Sequence, residues 1–453
     1  MSFSSSPSQI LGFLLALFAC TGWAQTTEAE DESARYQITY NTQRHLAFNA
    51  PYSGPNSISS QAERMYTLSA TAHWGFRPWQ GGELYFNPEI TQGLPFTGNL
   101  VGLGGFTNGE ITRAGGTDPK LYRQRLFVRQ TWNQGGGQEV VESDFNQMAG
   151  LVDKNRWVLT VGNFSTLDVF DDNTYAKDPR TQFMNWGNWT YAAYDYAADA
   201  RGFGWGFAAE WYQDDWVLRF GRMTGPTSPN AQPTDFALAR HYGDQVELER
   251  AHQLLNQPGK LRVLAWRNRA QLASFNDATQ WLQRPGTPAQ TGPDALIAVR
   301  NSEKVKYGLG FNVEQAINTQ VGFFLRAMKA DGHTETHAFT EVDGSLSTGL
   351  VFKGGLWGRA DDVVGLAFMH NTLSPERRGF LAAGGMSYFI GDASVSSATS
   401  LTYKPEQVLE VFYNFQMTRG TWLTADYQRI QNPAYNADRG PVNVYVARFH
   451  AEF

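Results

Sequence analysis

The segment 166–199 holds the densest group of side chains that could do chemistry. Its charged residues include Asp168, Asp171, Asp172, Asp178 and Arg180, and they are interleaved with Phe170, Tyr175, Phe183, Trp186 and Trp189. Such a surface suits a sugar, because C–H faces stack on aromatic rings and hydroxyl groups bond to carboxylates and guanidinium groups. A second interpretation stays open, in which the segment is an outer loop packed on itself with its charges paired for structure.

A second set of charges follows one predicted strand at 120–133. Arg123, Arg125 and Arg129 are separated by even intervals, so we expect them to share one face of that strand. Glu83 is a candidate for the same interior surface by its parity. Two roles are open for these residues: direct contact with solute hydroxyl groups, or an electrostatic brace that pairs acidic and basic side chains.

Several other chemistries lack the residues they need. The glycines in 102–109 and 135–137 are not followed by the Lys-Ser/Thr of a phosphate-binding loop. His333 and His337 have no accompanying metal motif, and no Gly-x-Ser-x-Gly elbow is present. Cys20 is the only cysteine, and the net charge of -6 comes without a basic cluster for nucleic acid. We therefore expect no cofactor, no metal and no nucleic-acid partner.

The elements that position these side chains are predicted by alternation of apolar and polar residues. In 64–79, one face of an extended chain carries Tyr66, Leu68, Ala70, Ala72, Trp74 and Phe76. The opposite face carries Thr67, Ser69, Thr71 and His73. Successive side chains of a strand point to opposite sides, so this segment is a strand with one apolar face and one polar face. The same pattern recurs along the chain, although a soluble sandwich would also show it.

The lengths of the connections favour a membrane barrel over a sandwich. Short turns are predicted at 79–81, 213–215, 257–259 and 419–420. Long stretches at 92–119, 166–199, 272–301 and 372–404 alternate with them. Short periplasmic turns and long extracellular loops produce this rhythm in outer-membrane barrels. In such a barrel the arginines of 120–133 should face the interior, since each would cost about 2–4 kcal/mol at the centre of the lipid face.

The predicted fold is all-β, a transmembrane antiparallel up-and-down β-barrel of about 16 strands. The strands are expected at 35–45, 64–77, 81–91, 120–133, 154–164, 201–213, 214–224, 242–254, 258–271, 302–315, 318–330, 346–357, 362–371, 406–418, 420–431 and 441–453. A short periplasmic helix is expected within 134–153, where the turn rhythm breaks.

The two ends of the chain predict export and insertion. Residues 1–24 read as a signal peptide, with an apolar run from Ile10 to Ala19 and small residues before a cleavage site after Ala24. Residues 25–453 then form one barrel domain in the outer membrane, in contact with its lipid. The last strand ends in Phe453, and a terminal aromatic residue resembles the signal that the barrel-assembly machinery recognises.

Several long stretches resemble OprB-type carbohydrate-selective porins. They are DVFDDNTYAKDPRTQFMNW at 168–186, YDYAADARGFGWG at 194–206, GELYFNPEITQG at 82–93, GFTNGE at 105–110 and the stretch from PEQVLEVFYNFQ at 405 to the terminal Phe453. The resemblance covers the chain from about residue 50 onward and is weakest over 225–300. It implies a monomeric sixteen-stranded channel for passive diffusion of glucose and related sugars. Sugar preference comes only from this resemblance.

Three functions are compatible with these observations. A sugar channel needs no catalytic residue, and its candidate contact residues are Arg123, Arg125, Arg129, Glu83, Asp168, Asp171, Asp172, Arg180, Trp186 and Trp189. A channel for other small solutes or anions is the nearest alternative. A barrel or secreted carbohydrate-active enzyme is the third, since carboxylates in 168–178 could form the acid pair that glycosidases require.

Overall fold

A computed structural model describes residues 29–285, 292–391 and 401–453. Within these ranges eighteen strands occur, at Glu32–His45 (β1), Glu63–Trp79 (β2), Gly82–Leu94 (β3), Lys120–Asn133 (β4), Gln138–Val141 (β5), Gly150–Asp153 (β6), Arg156–Phe164 (β7), Gly204–Gln213 (β8), Trp216–Met223 (β9), Tyr242–Leu254 (β10), Gln257–Gln271 (β11), Glu303–Ala316 (β12), Val321–Ala330 (β13), Gly344–Lys353 (β14), Val363–Thr372 (β15), Glu406–Thr418 (β16), Thr421–Gln431 (β17) and Val442–Glu452 (β18). The predicted signal peptide at 1–24 lies outside the described residues.

Helices in the described parts of the chain are short and lie in the connections. The α-helices are Ile111–Ala114 (α1), Trp186–Trp189 (α2), Phe275–Leu282 (α3), Gly292–Val299 (α4) and Pro375–Ala382 (α5). Single 3₁₀ turns occur at Phe96–Gly98, Thr166–Asp168, Gly354–Trp357 and Pro433–Tyr435. Across the residues that the structure describes, no helix is both long enough and apolar enough to cross a membrane.

Sixteen of the described strands form one closed antiparallel barrel. Each strand pairs with its neighbours along the chain, β4 pairs with β7, and β1 pairs with β18 to close the sheet. The predicted fold class and strand number are therefore confirmed. The largest difference from a predicted boundary is four residues, at the end of β14, which is Lys353 rather than residue 357.

Two local predictions are wrong. The segment 134–153 holds no helix, because β5 and β6 within it pair as a small hairpin. Gly135, Gly136 and Gly137 all adopt positive φ, which a helix does not allow, and the valines that follow favour a strand. The turn predicted at 257–259 begins two residues earlier, at Leu255 and Asn256, whose φ values are 52° and 58°. Type I′ hairpin turns require positive φ at both central positions, and Asn tolerates that conformation well.

The barrel is polar inside and apolar outside. On β2, Thr67, Ser69 and Thr71 are buried in the interior, whereas Trp74 and Phe76 remain 43% and 46% exposed on the outer surface. The alternation read from the sequence therefore separates a lipid-facing wall from a hydrated interior. A soluble sandwich would bury the apolar face instead.

The two ends of the barrel differ in the length of their connections. Connections of two residues join β2 to β3, β8 to β9 and β10 to β11, and residue 29 and Phe453 lie at this same end, which we call the turn end. The opposite end, the loop end, carries the long connections, including 95–119, 165–203 and the described parts of the connections after β11 and β15, residues 272–285, 292–302, 373–391 and 401–405. The connection 165–203, between β7 and β8, does not stay outside and folds into the barrel.

Replacing an outward-facing leucine by arginine should destabilise the barrel in lipid. Leu366 is 41% exposed and lies between Leu350 and Val411 of the neighbouring strands. We expect Leu366→Arg to lower the free energy of unfolding in vesicles by about 2–4 kcal/mol. Leu356→Arg is the matched control, because Leu356 is exposed in the turn after β14. Equal unfolding midpoints for the two variants in guanidinium would contradict the orientation of β15.

Candidate pore constriction

The inserted loop, residues 165–203, has its own local structure. The Ser165 hydroxyl accepts a hydrogen bond from the Leu167 amide at 3.3 Å, and the Asp168 carboxylate accepts one from the Ser165 amide at 2.9 Å. These bonds form a capping box around the turn Thr166–Asp168. Asn185 caps α2 in the same way, through the Gly187 amide. Local sequence thus stiffens the loop before the barrel holds it.

Asp171 fixes the loop to β12 and β13. Its Oδ1 accepts from Arg326 Nε at 2.8 Å and from Asn312 Nδ2 at 2.6 Å, and Thr190 donates to its Oδ2 at 2.9 Å. Asp171 and Arg326 are both buried. Buried ion pairs persist only when further hydrogen bonds satisfy the two groups, and Asp171 has them.

The opposite side of the loop is attached to β16 and β18. Glu410 accepts from the Met184 amide at 2.6 Å, the Asn185 amide at 3.1 Å and Asn188 Nδ2 at 2.6 Å. The Arg448 guanidinium donates to the carbonyl oxygens of Pro179 and Gln182, each at 2.8 Å. Since strands on several sides of the barrel bind it, the loop is held across the interior.

Arg180 ties the loop to a third side of the barrel. Its guanidinium lies between Glu89 of β3, at 2.7 Å, and Glu110 of the loop 95–119, at 2.5 Å. The Arg180 side chain is 5% exposed, so solute has little access to it. Arg180 was predicted as a contact residue, and the structure places it mainly as an anchor.

Arg125 and Asp168 face each other across the space between the loop and β4. Arg125 Nε and Nη2 donate to the two oxygens of Asp168 at 2.7 and 2.6 Å. Burial alone would raise the pKa of Asp168, but the attraction of Arg125 and its hydrogen bonds hold that pKa below its usual value. Both side chains keep partial exposure, 12% for Arg125 and 24% for Asp168, so each can also present atoms to a solute.

Arg129 and Glu83 are braced toward the turn end. Arg129 Nη1 donates to the Asn146 carbonyl at 2.9 Å and lies 3.4 Å from Glu83 Oε2. Glu83 also accepts from Arg77 Nη2 at 3.0 Å. The bracing role that the sequence left open applies to this pair.

Arg123 does not share the face of Arg125 and Arg129. The register between β3 and β4 shifts at this point, where Asn87 pairs with Arg125 but Pro88 pairs with Arg123, and Gln124 is the extra residue. A β-bulge of this kind reverses the alternation. Arg123 is exposed on the outer surface, with its guanidinium 4.9 Å from the ring centroid of Trp205. The predicted interior position of Arg123 is therefore wrong.

The two tryptophans are buried, whereas the Asp172 side chain is 40% exposed and bound by a cation. Trp186 is 1% exposed and Trp189 6%, and the Trp186 ring stacks on Phe339 at 4.8 Å. Their rings form the core of the packed loops rather than an open stacking surface. Asp172 binds Lys177 at 2.5 Å, and the attraction of Lys177 lowers its pKa.

A cavity of about 530 Å³ separates the inserted loop from the strands β1, β2 and β4. The sequence pointed to Arg125, Arg129, Asp168, Asp171, Arg180, Trp186 and Trp189 among its lining residues, and Asp172 is not among them. It missed another group from the loops, the insert between β4 and β7 and the strand faces: Arg113, Arg201, Gln37, Phe145 and Gln147. No local pattern marks that group, because long-range folding of separate loops brings it together. Within the described residues no cluster of His, Cys, Asp and Glu could hold a metal ion.

A closed barrel with an apolar exterior, a polar interior and an internal loop beside a hydrated cavity defines a channel protein of the outer membrane. The chain belongs to the carbohydrate-selective porin, OprB family, whose model matches residues 75–453. It is therefore an outer-membrane porin of the sugar-conducting class. Outer-membrane barrels have short turns on the periplasmic side, so the turn end is assigned to the periplasm. The resemblance read from the sequence is confirmed.

Two solved structures match the chain over most of its length. The high-pH structure of Pseudomonas putida OprB is 13% identical, covers 93% of this chain and 94% of its own, and superposes with a TM-score of 0.68. A double mutant of the Rhodopseudomonas blastica porin is 8% identical, with coverages of 93% and 100% and a TM-score of 0.46. No curated protein sequence matches the chain significantly.

Removing the Arg125 side chain should change ion selectivity. Arg125→Ala removes a cation from the cavity and leaves Asp168 without its bidentate partner. The loss of that interaction costs about 1–3 kcal/mol. We expect the reversal potential in a salt gradient to shift toward cation preference. Arg123→Ala removes the same charge from the outer surface and should leave that potential unchanged. Equal shifts in both variants would contradict the assignment of their faces.

Proposed function

We propose that glucose and related sugars cross by passive diffusion through the space between the inserted loop and the strands β1, β2 and β4. The observation that carries this proposal is the balance of charge in that space. The cationic lining residues are Arg113, Arg125, Arg129, Lys177, Arg180 and Arg201. The anionic ones are Asp144, Asp168, Asp171, Asp178 and Glu452. A lining with six cationic and five anionic residues suits a neutral solute rich in hydroxyl groups better than an ion of either sign.

Sugar recognition in this space depends on fixed donors and acceptors rather than on exposed tryptophan. The pair Arg125 and Asp168 presents guanidinium N–H groups and carboxylate oxygens at one level of the pore. Hydroxyl groups both donate and accept hydrogen bonds, so a sugar can exchange water for either partner. Each contact stays weak, because the charges are already paired, and weak sites let a solute leave as readily as it enters.

The pairing of carboxylates with arginines in this space also disfavours glycosidase activity. Such an enzyme needs one protonated carboxylic acid and one free carboxylate beside the scissile bond. Asp168 is held ionised by Arg125, and Asp171 is 3% exposed and bound by Arg326. We propose that the protein works without catalysis.

The pore is complete within one chain, which supports action as a monomer. The barrel closes through the backbone of its own last residue: Phe453 and Tyr36 exchange hydrogen bonds at 2.8 and 3.0 Å. We propose that Phe453 is also the residue through which the assembly machinery engages the last strand, and that the outer wall contacts membrane lipid.

Swelling of liposomes should separate a sugar channel from an anion channel. Glucose and gluconate are similar in size, but only gluconate must leave bulk water as an ion, and a lining whose charges are already paired offers it no free countercharge in return. A unit charge 4 Å away is worth about 1 kcal/mol in water, so we expect glucose to permeate about fivefold faster. The control is liposomes without protein. Faster entry of gluconate would contradict the proposal in favour of an anion channel.

A further inference from the structure

The segment 142–149, which we call the exit turn, reaches into the periplasmic mouth of the barrel. It joins β5 to β6 and contacts the inward faces of β3 and β4. Arg129 donates to the Asn146 carbonyl at 2.9 Å, and Asn87 Nδ2 donates to Asn146 Oδ1 at 2.8 Å. The Met148 amide donates to the Tyr85 hydroxyl at 3.2 Å. A connection that only bridged two strands would need none of these contacts.

The exit turn is also held in one shape. The Asp144 amide donates to the Gln147 carbonyl at 2.9 Å, and the Gln147 amide returns a bond at 3.1 Å. Glu30 accepts from the Ser143 hydroxyl at 2.7 Å and from the Ala149 amide at 2.8 Å. The segment is therefore fixed from both sides, and little conformational entropy would be lost when its tip meets a ligand.

The tip also presents side chains to the cavity, although the Asp144 carboxylate accepts a hydrogen bond from the Phe145 amide at 2.7 Å and the Gln147 side chain donates one to the Glu142 carbonyl at 2.8 Å. Phe145 is half-buried and lines the cavity, and its ring centroid is 4.5 Å from that of His73 at an interplanar angle of 46°. Asp144 and Gln147 are exposed beside it, and Gln37 of β1 lines the same cavity. An aromatic ring flanked by a carboxylate and two amides is the combination that binds a sugar, through its C–H face and its hydroxyl groups.

We propose that Phe145, with Asp144 and Gln147, forms a second sugar subsite at the periplasmic exit of the pore. It is distinct from the constriction at Arg125 and Asp168, and it rests on the proposed function. Trp186 and Trp189 are buried, so the exit turn supplies the stacking surface that the constriction lacks. A sugar that binds weakly at two successive subsites can move from one to the other without being held tightly at either.

Block of the ion current by glucose in planar bilayers tests the subsite. A ring-stacking contact is worth about 0.5–1.5 kcal/mol, so Phe145→Ala should raise the half-blocking concentration about twofold to twelvefold. Phe145→Leu keeps an apolar side chain without a ring and should weaken block in the same direction, whereas Phe145→Trp should preserve it. Leu151→Ala is the control, since Leu151 is exposed on β6 and is not among the residues that line the cavity.

Each outcome separates the subsite from the broader function. An unchanged half-blocking concentration in Phe145→Ala, with a larger ion conductance, would overturn the subsite and leave the exit turn as a mere narrowing of the mouth. A wild-type channel that passes no glucose into liposomes would overturn the proposed function itself. Loss of block in Phe145→Ala and Phe145→Leu, but not in Phe145→Trp or Leu151→Ala, supports the subsite.

Discussion

The structure depends on one constraint: no backbone N–H or C=O group may be left unpaired in hydrocarbon. Each such group would cost several kcal/mol, so a sheet in a membrane must close on itself. The pairing of β1 with β18 meets this requirement. Closure then sorts the side chains, because alternate residues must face lipid or the interior. A wall that is apolar outside and polar inside follows directly, and so does a hydrated interior available for transport.

A hydrated interior lined by charges must itself be organised. Three acidic side chains join the inserted loop to the wall of the barrel. Asp168 and Asp171 of the loop are bound by arginines of the strands, and Glu410 of β16 accepts a backbone hydrogen bond from the loop. Removing one partner of a buried ion pair leaves an uncompensated charge. The free-energy cost of that charge is much larger than the net stability that the intact pair contributes. The main effect of these ion pairs is therefore to fix the position of the loop rather than to add net stability. They suspend the inserted loop across the barrel and leave the hydrated space along β1, β2 and β4.

The sequence was informative where structure follows a local period. Strand alternation predicted the sixteen barrel strands, because a period of two is imposed on every membrane-facing strand. It failed at Arg123, because a bulge is a single-residue event that alternation alone does not reveal. It also could not show that Trp186 would be buried against Phe339, since those two residues are far apart in sequence and meet only through the packing of separate loops. The long connection at 166–199 was recognised from its length and aromatic content, while its partners depended on the barrel.

The central claim is that solute passes between the inserted loop and the strands facing it. Leu167 lines that space, and Leu366 faces outward on β15. The most direct measurement is the single-channel current of Leu167→Cys, in a Cys20→Ser background, before and after reaction with a bulky water-soluble thiol reagent. The account predicts a lower current after modification of Leu167→Cys and an unchanged current in the matched Leu366→Cys channel. Complete modification of Leu167→Cys, shown by mass, with an unchanged current would contradict it.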